Sequence, residues 1–148
     1  MDDFDKRFDK TFSMVAFACN RHLVDHMRRI VSLLDMDLES AMLWGLVAEI
    51  GVAAGDFSAE ILAHTAPETL HLIDSWAHDE RYLDIRDVVA ARFAAEVAAG
   101  QVVIDQGYSL TVLSNFPDGY FDWVYLDTGH DFTTTYQELE LCRAKVKP

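Results

Sequence analysis

Three short runs, LVAEI at 46–50, LHLI at 70–73 and WVYL at 123–126, are almost continuously apolar, and amphipathic segments lie between them. A strand with one wet face alternates apolar and polar residues, whereas a strand covered on both faces reads as an unbroken apolar run. Such runs, separated by helices, predict right-handed βαβ crossovers and a largely parallel sheet. The expected fold class is therefore α/β, with a doubly wound sheet.

The pattern places strands at 46–50, 69–74, 101–105 and 121–127, and helices at 57–64, 79–99 and 133–145. In the long helix Leu83, Val88, Val89, Phe93 and Val97 make the apolar face, and Gly100 stands where a left-handed C-terminal cap is expected. Residues 1–40 read as an N-terminal helical segment preceding a core at 41–148. Leu23, Val24, Met27, Ile30, Val31 and Leu34 form one helical stripe there, and Phe4, Phe8 and Phe12 a shorter one. These stripes are expected to pack over the sheet or against a partner chain. Trp44 and Trp123 read as core.

Charge narrows the partners. The 148-residue chain carries 25 acidic against 12 basic residues, a formal net charge of −13. Nucleic-acid binding needs basic surface to displace counterions from phosphates. The only basic cluster is Arg21, Arg28 and Arg29, so DNA, RNA and anionic membranes are disfavoured and a small molecule is expected. No apolar run approaches the roughly 20 residues of a membrane-spanning helix, and the acidic start MDDFDKRFDK does not read as a signal peptide. With Cys19 and Cys142 alone there is no disulfide framework, so the default expectation is a reduced, cytoplasmic setting.

The segment after the first strand, Val47-Ala48-Glu49-Ile50-Gly51-Val52-Ala53-Ala54-Gly55-Asp56, runs from a strand through two glycines into a helix. Gly51 permits a tight turn, and Gly55 is expected to let the backbone approach a ligand without a Cβ in the way. A helix N-terminus there offers free N–H groups to an anionic group, and ligands of open α/β sheets bind at the carboxyl ends of the strands. The spacing is E-x-G-x-x-x-G, not the dinucleotide fingerprint G-x-G-x-x-G. Asp74 ends the second strand, where a carboxylate can accept hydrogen bonds from a ribose diol or cap the following turn. Asp105-Gln106-Gly107-Tyr108-Ser109 follows the third strand.

These positions resemble class I S-adenosylmethionine-dependent methyltransferases, over roughly residues 44–148. The resemblance implies a Rossmann-like sheet. It places Glu49, Gly51 and Gly55 beneath the methionyl part of S-adenosylmethionine, Asp74 at the ribose, and Gln106, Gly107, Tyr108 and Ser109 at the adenine. Trp76 could cover the adenine or simply pack.

The fourth strand ends in Tyr125-Leu126-Asp127-Thr128-Gly129-His130. This D-x-x-H arrangement resembles the small-molecule branch that includes macrocin-type O-methyltransferases, although the glycine of its usual D-G-x-H is displaced by one position. The resemblance implies Asp127 as a catalytic residue and Mg²⁺ ligand and His130 as general base toward an acceptor hydroxyl. An alcohol is a poor nucleophile until a base or metal activates it. Mg²⁺ prefers several oxygen ligands, so one carboxylate is not a site. The family continues with a fifth strand beyond Pro148, so a truncated chain with its fourth strand at an exposed edge is expected. The chain could associate through that edge or the N-terminal helices. Two alternatives stay open: a non-catalytic methyltransferase-like binding module, and, against the missing fingerprint, a nucleotide-dependent oxidoreductase.

Overall fold

The computed structural model describes residues 45–77, 84–129 and 131–148. The N-terminal stripes, the arginine cluster, Trp44, Leu83 and His130 lie outside the described residues. In chain order the elements are β1 (Leu46–Ile50), α1 (Asp56–Thr65), β2 (Thr69–Asp74), α2 (Ile85–Arg92), α3 (Ala94–Ala98), β3 (Val102–Gln106), α4 (Ser109–Ser114), β4 (Trp123–Leu126) and α5 (Phe132–Lys145).

The four strands form one parallel sheet in the order β3-β2-β1-β4. The chain steps outward from β1 through β2 to β3, then returns to the other side of β1. That reversal opens a crevice above the carboxyl ends of β1 and β4, where ligands of such sheets bind.

Alternation along each strand builds two cores, which explains the unbroken apolar runs. Val47, Leu70, Leu72 and Val102 point to one face, packed with Ile61 of α1, Val89 of α2 and Phe93. Ala48, Ile50, Ile73 and Val124 point to the other, packed with Leu113 of α4, Cys142 of α5 and Phe121. His71 breaks the apolar pattern on the second face. Its Nδ1 lies 2.7 Å from Asp105 Oδ2, and the rings of Phe116, Tyr120 and Phe121 meet it edge-on. Trp123 is half-buried against the first core.

β4 is the edge of the sheet among the described residues. The chain leaving α5 touches the segment just before it, in a parallel bridge between Phe121 and Val146. Lys147 donates its N–H to Phe121 O at 2.8 Å, and Phe121 donates to Lys145 O at 2.9 Å.

Two expectations change. The long helix is broken at Phe93, whose φ of −105° and ψ of 25° are non-helical. Phe93 and Val89 are buried, but Val88 and Val97 are 57% and 40% exposed; Val88 sits beside Val89 on the outer side of α2, and Val97 lies on α3 beyond the break. The second change is α4, which begins inside the segment read as a ligand loop; with six residues it is too short to show a periodicity.

Gly55 also plays another part than expected. Its φ is 77°, and a Cβ there would meet the Phe93 ring at 2.8 Å, so the glycine makes room for a core side chain. Gly100 has the same φ of 77° and nothing within 4 Å of a Cβ. The pair separates backbone strain from packing. Gly100→Ala should cost about 1 kcal/mol by urea denaturation. Gly55→Ala should cost a further ~1–3 kcal/mol for overpacking, part of it recovered in Gly55→Ala/Phe93→Leu. Equal losses at the two glycines would contradict this role for Phe93.

Candidate functional site

The loop after β1 is held from across the sheet. Gly51, at φ 90°, donates its N–H to Ile73 O at 2.9 Å, and a Cβ on it would overlap the carbonyl oxygen of Asp127. Only glycine lets the end of β1 approach the end of β4 this closely. Beyond it, the Asp74 carboxylate gathers three backbone donors. Its Oδ2 accepts from Val52 N at 2.8 Å and Ala53 N at 3.0 Å, and its Oδ1 from Trp76 N at 2.8 Å. Trp76 closes the ring by donating from Nε1 to Ala53 O at 2.9 Å.

Ala53 and Trp76 have φ of 48° and 46°, a region unfavourable to residues with a Cβ. The Asp74 hydrogen bonds hold both strained residues, a combination typical of functional loops. Trp76 is buried, 3% exposed, and is anchored as a packing group at the cavity wall.

Below this loop sits Glu49, 1% exposed, which accepts a hydrogen bond from Ser58 Oγ on α1. Burial pushes its carboxyl up to about 8; the Ser58 bond opposes the shift, and the charges of Asp127 and Asp74 add to it. Asp127, at the end of β4, donates its backbone N–H to Ile50 O at 2.8 Å. Its carboxylate faces the Tyr125 hydroxyl at 3.4 Å. Tyr125 is buried with its ring tilted against Phe57, centroids 4.3 Å apart.

After β3, Gly107 donates to Asp74 O at 2.9 Å, and Tyr108 stands 67% exposed at the mouth of the crevice. Ser109 Oγ donates to Glu138 Oε1 at 2.5 Å, which commits its only donor. Asp131 caps α5 by accepting from Thr134 N at 2.9 Å, and that bond holds its carboxyl below the usual range.

Together these loops enclose a cavity of about 800 Å³, within the range of small-molecule sites. Glu49, Gly51, Asp74, Gly107, Tyr108, Ser109 and Asp127 all border it. Gly55 does not. Gln106 also lies off the wall, with its amide Nε2 3.4 Å from Ser75 O. His130 lies outside the described residues. Glu138 was missed: it sits on the inward face of α5 with Cys142, fully buried, and also borders the cavity. The helix shows no apolar stripe that would have marked it, since its buried positions are Glu138, Cys142 and Lys145.

The described residues do not fit a divalent metal. No group of three or more His, Cys, Asp or Glu among them is placed to hold one. Glu49 is bonded to Ser58 and Asp74 already accepts three backbone bonds, so neither joins Asp127 in the set of several oxygen ligands that Mg²⁺ requires.

A profile described as a methyltransferase domain matches residues 48–148. The chain belongs to this methyltransferase domain family. Solved structures share its fold. A protein assigned as a sarcosine dimethylglycine methyltransferase from Galdieria sulphuraria is 10% identical, with a TM-score of 0.60 over 99% of this chain and 57% of its own. One assigned as a caffeoyl-CoA O-methyltransferase from Staphylococcus aureus is 16% identical, with a TM-score of 0.58 over 99% of this chain and 63% of its own. Spermidine synthase from Thermotoga maritima is 17% identical, with a TM-score of 0.54 over 74% of this chain and 36% of its own. The methyltransferase domain thus spans about a third to two thirds of these chains. No curated protein matches it. Among the described residues no helix is long and apolar enough to cross a membrane.

Glu49 gives the domain a pH dependence of known sign. A carboxyl at 4.5 in the unfolded chain and about 8 in the folded one binds more protons when folded. Its contribution is present below pH 4.5 and is lost as pH rises toward 8. Glu49→Gln removes the titration, so the variant should gain stability relative to the parent across this window, by on the order of a few kcal/mol. Urea denaturation at several pH values measures it; a difference that does not change with pH would contradict the assignment.

Proposed function

We propose that the domain binds S-adenosylmethionine in the crevice above β1 and β4 and transfers its methyl group to a hydroxyl oxygen of a small molecule. The observation that carries this reading is the convergence of all four strand ends on one cavity of about 800 Å³, with the Gly51 turn at its base.

The residues present suit this cofactor. The turn from Gly51 to Ala54 would pass beneath the methionyl part, and the carboxylates of Asp127 and Asp74 suit its positive charge. Asp74 already accepts three backbone bonds. A carboxylate has about four acceptor sites, which leaves room for one ribose hydroxyl. Its larger part is to hold the loop in its binding shape. Gly107 and Tyr108 would lie along the adenine, with Ser109 turned to it only by its oxygen lone pairs.

When bound, the cofactor supplies an electrophilic methyl group on a positively charged sulfur. The chain's own task is to align the acceptor oxygen with that methyl and keep water out, since orientation supplies much of the acceleration in a displacement. Asp127 would orient the acceptor. His130 would take the hydroxyl proton, as an imidazole can near neutral pH. No metal step is included.

Calorimetric titration with S-adenosylhomocysteine tests the cofactor site. The parent should bind in the micromolar range, and Asp74→Ala, which releases the loop, should bind at least about tenfold more weakly. His130→Ala should bind S-adenosylhomocysteine like the parent and lose about 10²-fold or more in methylation rate. A folded parent that binds NADH and not S-adenosylhomocysteine would overturn the proposal.

A further inference from the structure

Glu138 has no part in the scheme above, yet it is a fully buried acid in the crevice wall. It is fully buried on α5, and a buried carboxylate carries a large desolvation penalty unless hydrogen bonds offset it. Two bonds do so, and they come from different loops. Ser109, which opens α4 after β3, donates to Oε1 at 2.5 Å. Thr128, which directly follows Asp127 after β4, donates to Oε2 at 2.6 Å. One turn further along α5, the Cys142 thiol is pushed up to about 12, first by its burial and then by the charge of Glu138. That thiol is therefore inert, and the polar chemistry of this face is concentrated at Glu138.

An apolar residue would fill this position at lower cost, and the two hydroxyls would then turn elsewhere. The carboxylate joins parts of the crevice that the sheet order keeps apart: β3 is at one edge and β4 at the other. We infer that Glu138 is a positioning residue that couples the loop after β3 to the loop after β4 through Ser109 and Thr128. The naming of these as cofactor and acceptor loops rests on the proposed function. On that reading, Glu138 holds the cofactor-side residues Tyr108 and Ser109 in fixed relation to Asp127 on the acceptor side.

Removing the carboxylate itself would open a hole in the fold, so the test removes the hydroxyls. Amide hydrogen exchange is measured on the unliganded chain for Ser109→Ala, Thr128→Val and Thr128→Ser. The amides of Thr111 and Val112 bond to Tyr108 O at 3.0 Å each, and that of Thr135 to Asp131 O at 3.1 Å. Thr128→Val should speed exchange at Thr111 and Val112 about threefold or more, although the substitution lies on the other loop. Ser109→Ala should do the same at Thr135. Thr128→Ser keeps the hydroxyl and should restore the parent pattern, which a change in packing would not.

In parallel, each hydroxyl deletion should weaken S-adenosylhomocysteine binding about two- to tenfold. The double variant should depart from the product of the two by about threefold, as expected for groups sharing one partner. Exchange changes confined to the mutated loop, with independent effects on binding, would overturn the coupling. A parent that does not bind S-adenosylhomocysteine would overturn the cofactor reading alone, and the exchange pattern would still decide the bridge.

Discussion

The crevice depends on the Asp74 carboxylate. Parallel strands leave their carboxyl-end backbone groups without partners, and the loop after β1 must therefore find acceptors for its amides elsewhere. Asp74 supplies them from the neighbouring strand, taking Val52, Ala53 and Trp76 at once. The register that pairs Ile50 with Ile73 puts the carboxylate within reach of the loop. Ala53 and Trp76 can then keep positive φ values that neither would hold alone. The shape of the binding loop is thus a property of the sheet's pairing as much as of the glycine motif.

Two buried carboxyls stand on opposite faces of this sheet and behave differently. Glu49 lies under α1 with one hydroxyl partner and two acidic neighbours, an environment that favours its neutral form. Glu138 lies under the other layer with a hydroxyl on each oxygen. The first contributes a protonatable group at the base of the crevice. The second contributes rigidity between its walls. Both roles follow from counting hydrogen-bond donors around each oxygen.

Much of the fold was legible because burial on both faces leaves a strong mark. The run LHLI followed by Asp74 marked β2 at its observed limits, since a polar residue must appear where the strand leaves the core. The break at Phe93 was not legible, because no glycine or proline marks it and the Phe93 ring packs against Gly55, far away in the chain just before α1. The same contact explains why Gly55 was read as a ligand position: sequence reports that a Cβ is unwelcome, not what occupies its place. Asp74 was visible as an acid at a strand end, but its backbone partners were not. Glu138 could not be found from spacing, as Ser109 and Thr128 come from loops that only the folded sheet brings together.

The strand order has a kinetic consequence. β1 pairs with β2, and β2 with β3, each the next strand in the chain, so each of these ladders closes a modest loop. β4 must return to β1 across everything in between, and the entropy of closing that loop is the largest in the sheet. Contacts of long sequence separation form late and slow the folding of parallel sheets. The approach of Gly51 to Asp127 belongs to this last closure. The crevice therefore rests on the costliest closure in the sheet, since Gly51 meets Asp127 only where β4 has paired with β1.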